Sequence, residues 1–65
     1  MKFKKGDIVA HHDPTVHRRW VVDALIFNLN TDVQEFVMVT ALDANSEPVP
    51  EYWTIEHEDN YTKVG

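Results

Sequence analysis

The chain has 65 residues, no cysteine and a formal net charge of −5 at pH 7, which limits it to one domain and excludes disulfides, thiolate metal sites and cysteine nucleophiles. A domain this small buries only about 60% of the surface its unfolded chain exposes, so its stability is marginal without an added partner. The charge is uneven: residues 1–20 carry Lys2, Lys4, Lys5, Arg18 and Arg19 against Asp7 and Asp13, and residues 21–65 carry nine acidic side chains against Lys63 alone, so nucleic acid could be met only through the basic end.

The first lysines are followed by no apolar stretch of signal-peptide type. The longest apolar run falls well short of the roughly 20 residues that span a bilayer. The sequence is therefore read as cytoplasmic, with no membrane contact. Asn60-Tyr61-Thr62 has the form of a glycosylation sequon, which without a secretion signal counts as chance.

In chain order, Gly6-Asp7 reads as a turn feeding a first strand at Ile8-Val9. His11-His12-Asp13-Pro14-Thr15 is polar and broken by proline, a loop. Residues 19–27, including Trp20-Val21-Val22-Asp23-Ala24-Leu25-Ile26-Phe27, are rich in β-branched and aromatic types and predict a second strand. A helix started by Asp13-Pro14 is the rival, since Asp then Pro is a good helix opening. The strand is preferred because Trp20, Val21, Val22, Ile26 and Phe27 together form helix poorly. Asn28 to Asp32 is the clearest turn signal. Residues 35–42 predict a third strand and a long hairpin, although Thr31-x-x-Gln34 imitates a helix capping box. Asp43 to Pro50 reads as a polar loop. Tyr52 to Ile55 predicts a fourth strand, Glu56 to Asn60 a charged turn with a 3₁₀ turn in it, and Tyr61 to Val64 a short last strand. Five short strands around one long hairpin predict a small, bent antiparallel all-β barrel.

That order, with Phe3-x-x-Gly6-Asp7-x-Val9 at the start, Trp20-Val21-Val22 entering the second strand, and Glu58-Asp59-Asn60-Tyr61-Thr62-Lys63-Val64 at the close, resembles the SH3-like barrels of bacterial and phage KOW- or Tudor-like type. The resemblance runs over nearly the whole chain. It implies a single five-stranded antiparallel SH3-like barrel over residues 1–65 that works by binding. Small acidic proteins of this kind also occur in phage, where the resemblance implies a modulator of a host protein. Where KOW sequences carry glycines after the first strand, this chain has His11-His12-Asp13-Pro14, which argues against KOW-type RNA contact.

Catalytic and metal chemistry find little support. His11, His12, His17 and His57 have neighbouring carboxylates but no recognised zinc-ligand spacing, and adjacent His11 and His12 on an extended chain point opposite ways. No metal or other cofactor is expected. Glu56, Glu58 and Asp59 read as a solvated turn, and Ser46, the one serine, sits in a loop without a nucleophile elbow. The expectation is a non-enzymatic protein.

Binding is better supported. Alternation puts Trp20, Val22, Ala24 and Ile26 on one face of the second strand and Val21, Asp23, Leu25 and Phe27 on the other. On the third strand Phe36, Met38, Thr40 and Leu42 share one face, Val37, Val39 and Ala41 the other. Both faces are largely apolar, as in sheets covered on both sides, yet the chain can supply only one core. The second face is expected to bind a protein partner or a second copy, with Val21, Leu25, Phe27, Val37 and Val39 as anchors. The runner-up is a nucleic-acid or ribosome-associated module using Lys2, Lys4, Lys5, Arg18 and Arg19 with the aromatic Trp53.

Overall fold

The computed structural model describes residues 2–65. Its strands are β1 (Ile8–His11), β2 (Arg19–Asn28), β3 (Val33–Leu42), β4 (Pro48–His57) and β5 (Tyr61–Lys63), with a 3₁₀ turn, Glu58–Asn60, before the last. All five pair antiparallel in one sheet of order β4-β3-β2-β1-β5. The class is all-β, and the sheet is open, with β4 and β5 as its edges. Among the described residues no helix is long and apolar enough to cross a membrane.

Local chemistry sets the connections. The backbone N–H of Asp7 donates to the Lys4 carbonyl at 3.0 Å, and Gly6, third in that turn, has a φ of 95°, where glycine alone is free of steric cost. Asp13 turns the chain instead of starting a helix. Its carboxylate accepts from the Thr15 N–H and hydroxyl, and its carbonyl from the Val16 N–H, a local pattern that competes with helix. At the hairpin, the Asn28 carbonyl accepts from Thr31 and Asp32 N–H while its side chain accepts from Asn30 N–H. Gln34 therefore lies in a strand, second in β3, rather than completing a capping box.

β4 is longer than the sequence suggests. It begins at Pro48 and includes Pro50, which an edge strand tolerates because one side of its backbone has no ladder to complete. The turn before it closes on Asp43, whose carboxylate accepts from the N–H groups of Asn45 and Glu47.

The core lies on one side of the hairpin. Val22 of β2 and Val37 and Val39 of β3 pack with Val9, Phe3 and Tyr61, and Trp20 and Leu25 pack against that cluster. The pairing explains why the face assignment by simple alternation fails. Val22 lies opposite Val39, but the next pair is Ala24 opposite Met38, so Asp23 is an extra residue in β2. Such a bulge resets the alternation. Trp20, Val22 and Leu25 share the inner face, whereas Val21, Ala24 and Ile26 share the outer one with Thr40, Met38 and Phe36. The Thr40 hydroxyl donates to the Asp23 carboxylate, so the extra residue has its polar group satisfied on the outer side.

Candidate functional site

The outer face is organised in three cross-strand rows. Ile26 lies opposite Phe36, which lies opposite His57. Ala24 lies opposite Met38, then Ile55. Val21 lies opposite Thr40, then Trp53. The β2 and β3 members are half-buried, apart from the buried Thr40, while on β4 Trp53 is 53% and Ile55 48% exposed. Exposure thus rises toward the sheet edge. The Phe36 and His57 rings meet edge to face, with centroids 5.6 Å apart. His57 also caps the 3₁₀ turn, its Nδ1 accepting from the Asp59 N–H at 3.1 Å.

The anchors expected from the sequence divide among three places. Val21 lies on the outer face. Val37 and Val39 are fully buried in the core, so the assignment of these two to a docking surface is corrected: alternation along β3 turns them toward Tyr61 and Phe3. Leu25 packs against the same core, brought there by the Asp23 bulge. Phe27 is 49% exposed beyond the end of that core, next to the hairpin tip. Sequence alternation missed Ala24, Ile26, Phe36, Met38 and Ile55 as members of the outer face. For Ala24 and Ile26 the signal that could have found them is the lone acid Asp23 inside an apolar run, read as a bulge; nothing local marks Phe36, Met38 and Ile55, because both faces of β3 read alike.

The basic residues do not gather into one patch. Lys2 donates to Asp59 at 3.0 Å, and Lys63 lies 3.7 Å from Asp7. The guanidinium of Arg18 sits 5.1 Å from the Tyr52 ring centre, and Arg19, Lys4 and Lys5 are exposed. The 3₁₀ turn that holds Lys2 touches the start of β3 through Gln34 and Glu58, 2.9 Å apart. Tyr52 precedes Trp53, the partner of Thr40 near the far end of β3. Lys2 and Arg18 therefore attach to opposite ends of that strand, about 20 Å of chain apart. Trp53 belongs to the outer apolar face rather than to a basic groove.

A polar network ties the other side together. The Glu56 carboxylate accepts from His11 Nε2 at 3.1 Å, Asn60 Nδ2 at 3.1 Å and the Tyr61 hydroxyl at 2.6 Å. His11 Nδ1 accepts from the Asp13 N–H at 3.0 Å, which assigns the ring proton that reaches Glu56 to Nε2. Burial pushes the Glu56 carboxyl up, but the hydrogen bonds from Tyr61, His11 and Asn60 outweigh it and hold the group below its ordinary value. Burial, then the bond to Glu56, drives the Tyr61 phenol well above its ordinary value. These four side chains join β1, β4, the 3₁₀ turn and β5, a role in holding the sheet. Among the described residues no group of three His, Cys, Asp or Glu side chains is placed to hold a metal ion, and no pocket opens on the surface.

A scan against protein-family models, a search of curated proteins and a search of solved structures each found no match for this chain.

Proposed function

We propose that this protein is a non-enzymatic binding module for another protein chain, and that its contact surface is the outer face of β2, β3 and β4. The observation that carries this reading is the run of apolar side chains across three strands, Ala24–Met38–Ile55 flanked by Ile26–Phe36 and by Val21 and Trp53, most exposed on β4. An apolar face without a pocket suits a macromolecular partner, whereas small ligands favour concave sites. Tryptophan is also among the residue types enriched at interface anchors.

We further infer that the fold is a variant of the SH3-like barrel. The long β2–β3 hairpin, the 3₁₀ turn between β4 and β5, and the flanking of β1 by β2 and β5 support that assignment. The nucleic-acid reading takes second place because Lys2 and Lys63 are paired with carboxylates and Arg18 stacks on Tyr52 at the other end of β3.

The test is affinity capture from lysate of the native host with the wild-type chain and with Ile55→Lys, which places a charge in the middle row. The reading expects a protein captured by the wild type and lost with Ile55→Lys, while both chains melt cooperatively. Capture unchanged by Ile55→Lys would remove the outer face from the interaction.

A further inference from the structure

We infer that the partner at the β4 side of this face is a second copy of the chain, joined edge to edge through β4 about a two-fold axis at Thr54. This inference rests on the reading that the outer face binds protein. β4 pairs with β3 on one side and stands at the sheet edge on the other. The edge-facing backbone groups of an edge strand are a template for another strand. Proteins guard such edges with proline or lysine, and β4 has Pro48 and Pro50 only in its first half. The stretch Tyr52 to His57, which includes all the residues laddered to β3 from Trp53 onward, has neither. It also holds three well-exposed apolar side chains, with Tyr52 at 56% beside Trp53 and Ile55.

The sequence of this edge is complementary to itself in one register. An antiparallel pairing centred on Thr54 sets Thr54 against Thr54 of the second copy. Trp53 then meets Ile55, Tyr52 meets Glu56, and Glu51 meets His57. Threonine pairs and aromatic–β-branched pairs are both favourable across antiparallel strands. His57 Nδ1 is occupied by the Asp59 N–H, which leaves Nε2 as the ring nitrogen to donate to Glu51. No two carboxylates are directly opposed. Centring on Trp53 would set Glu51 against Ile55, and centring on Ile55 would set Glu51 against Asp59. The Thr54 register alone among these pairs the two exposed outer-face side chains of β4 with each other. The result is one continuous sheet through both copies, with the two outer faces running together.

Each copy carries a net charge of −5, so the copies repel and added salt strengthens the dimer by screening. That is opposite to the salt response of nucleic-acid binding.

The absence of cysteine makes the register directly testable. Single variants Trp53→Cys, Thr54→Cys and Ile55→Cys are oxidised under mild conditions, with melting curves to verify folding. Directly opposed strand positions bring Cα atoms within disulfide reach, so Thr54→Cys should cross-link to a dimer fastest. Cross-linking at Trp53→Cys or Ile55→Cys as fast as at Thr54→Cys overturns the register. Sedimentation equilibrium of the wild type should show a monomer–dimer equilibrium that tightens with salt and weakens about tenfold or more in Ile55→Lys, the effect of losing one packed anchor. A wild type that stays monomeric at several hundred micromolar overturns self-association. If that monomer still captures another protein in an Ile55→Lys-sensitive way, the binding reading stands without the dimer. If it captures none, both fall.

Discussion

The two faces of the β2–β3 hairpin are similar in composition and opposite in fate. On the inner face Val22, Val37 and Val39 are closed off from water. On the outer face Ala24, Ile26, Phe36 and Met38 are only half-buried, although Phe36 and Met38 are larger side chains. The difference comes from outside the hairpin. Phe3, ahead of the first turn, and Tyr61, at the start of β5, both pack on the inner side. The outer side gains only β4, which extends the sheet rather than covering it and leaves Thr40 alone among the β2 and β3 members of its three rows closed off from water. Apolar area in a strand is a demand for cover, and in a short chain the terminal segments decide which face receives it.

The strongest way to break that comparison uses neighbours in one strand. Val39 faces the core and Met38 faces outward, one residue apart. Val39→Asp places an unpaired carboxylate among Val22, Val37 and Tyr61. Burying it there should cost more than about 4 kcal/mol, enough to unfold a domain of this size. Met38→Lys should fold, with a loss of about 1 kcal/mol from lost packing against Ala24 and Ile55. Circular dichroism and urea titration of the two variants check this. Equal unfolding of both would show that the outer face is as dry as the inner.

Much of the fold was legible because the signals are local. Asn28 to Asp32 marks the hairpin, and Gly6-Asp7 marks the first turn. The charged run Glu56 to Asn60 contains the 3₁₀ turn, although its first two residues belong to β4. The faces were not legible, because alternation is a count and one bulged residue shifts every side chain after it. Leu25 moved to the core and Ala24 and Ile26 moved out for that reason alone. The loss of Val37 and Val39 as docking anchors has a different cause. Both faces of β3 read alike, and only the long-range arrival of Phe3 and Tyr61 chooses between them. The partners of Glu56 were equally hidden, since His11 lies 45 residues away in sequence.

A second test concerns what fastens the cover to the inner face. Tyr61 is buried and its hydroxyl donates to Glu56. Tyr61→Phe keeps the ring packed and removes that donor from a charged acceptor, which should cost about 1–3 kcal/mol. Urea denaturation should show a lower midpoint with little change in slope. A variant as stable as the wild type would mean that ring packing alone holds β5 over the core.

The same network sets a pH dependence. The folded state holds the Glu56 carboxyl below its ordinary value. Its contribution is therefore fully present above the ordinary carboxylate range and is lost as pH falls through that range to the lowered folded value. Asp13, lowered by the Thr15 N–H and hydroxyl, and Asp59, lowered by Lys2, act in the same direction. Melting temperatures from pH 7 down to pH 3 should fall for the wild type. Glu56→Gln should start lower at pH 7 and fall less steeply, so that the two curves converge in acid. Parallel curves would assign the acid sensitivity to Asp13 and Asp59 instead.

The smallest effect bears on the bulge itself. Removing Asp23 leaves Trp20, Val21, Val22, Ala24, Leu25 and Ile26 in simple alternation, with each side chain on the face it already occupies. The deletion gives up the Thr40 hydroxyl's acceptor and some local bend. It should therefore fold, at a cost of about 1 kcal/mol for the lost hydrogen bond. Deleting Val22 next to it removes a core side chain and turns Asp23 into the vacated inner position, which should abolish folding. Thermal melts of the two deletions compare them directly. If loss of Asp23 is as damaging as loss of Val22, the bulge supplies curvature that the core requires, and the two faces of the hairpin are then coupled through it rather than merely sorted by it.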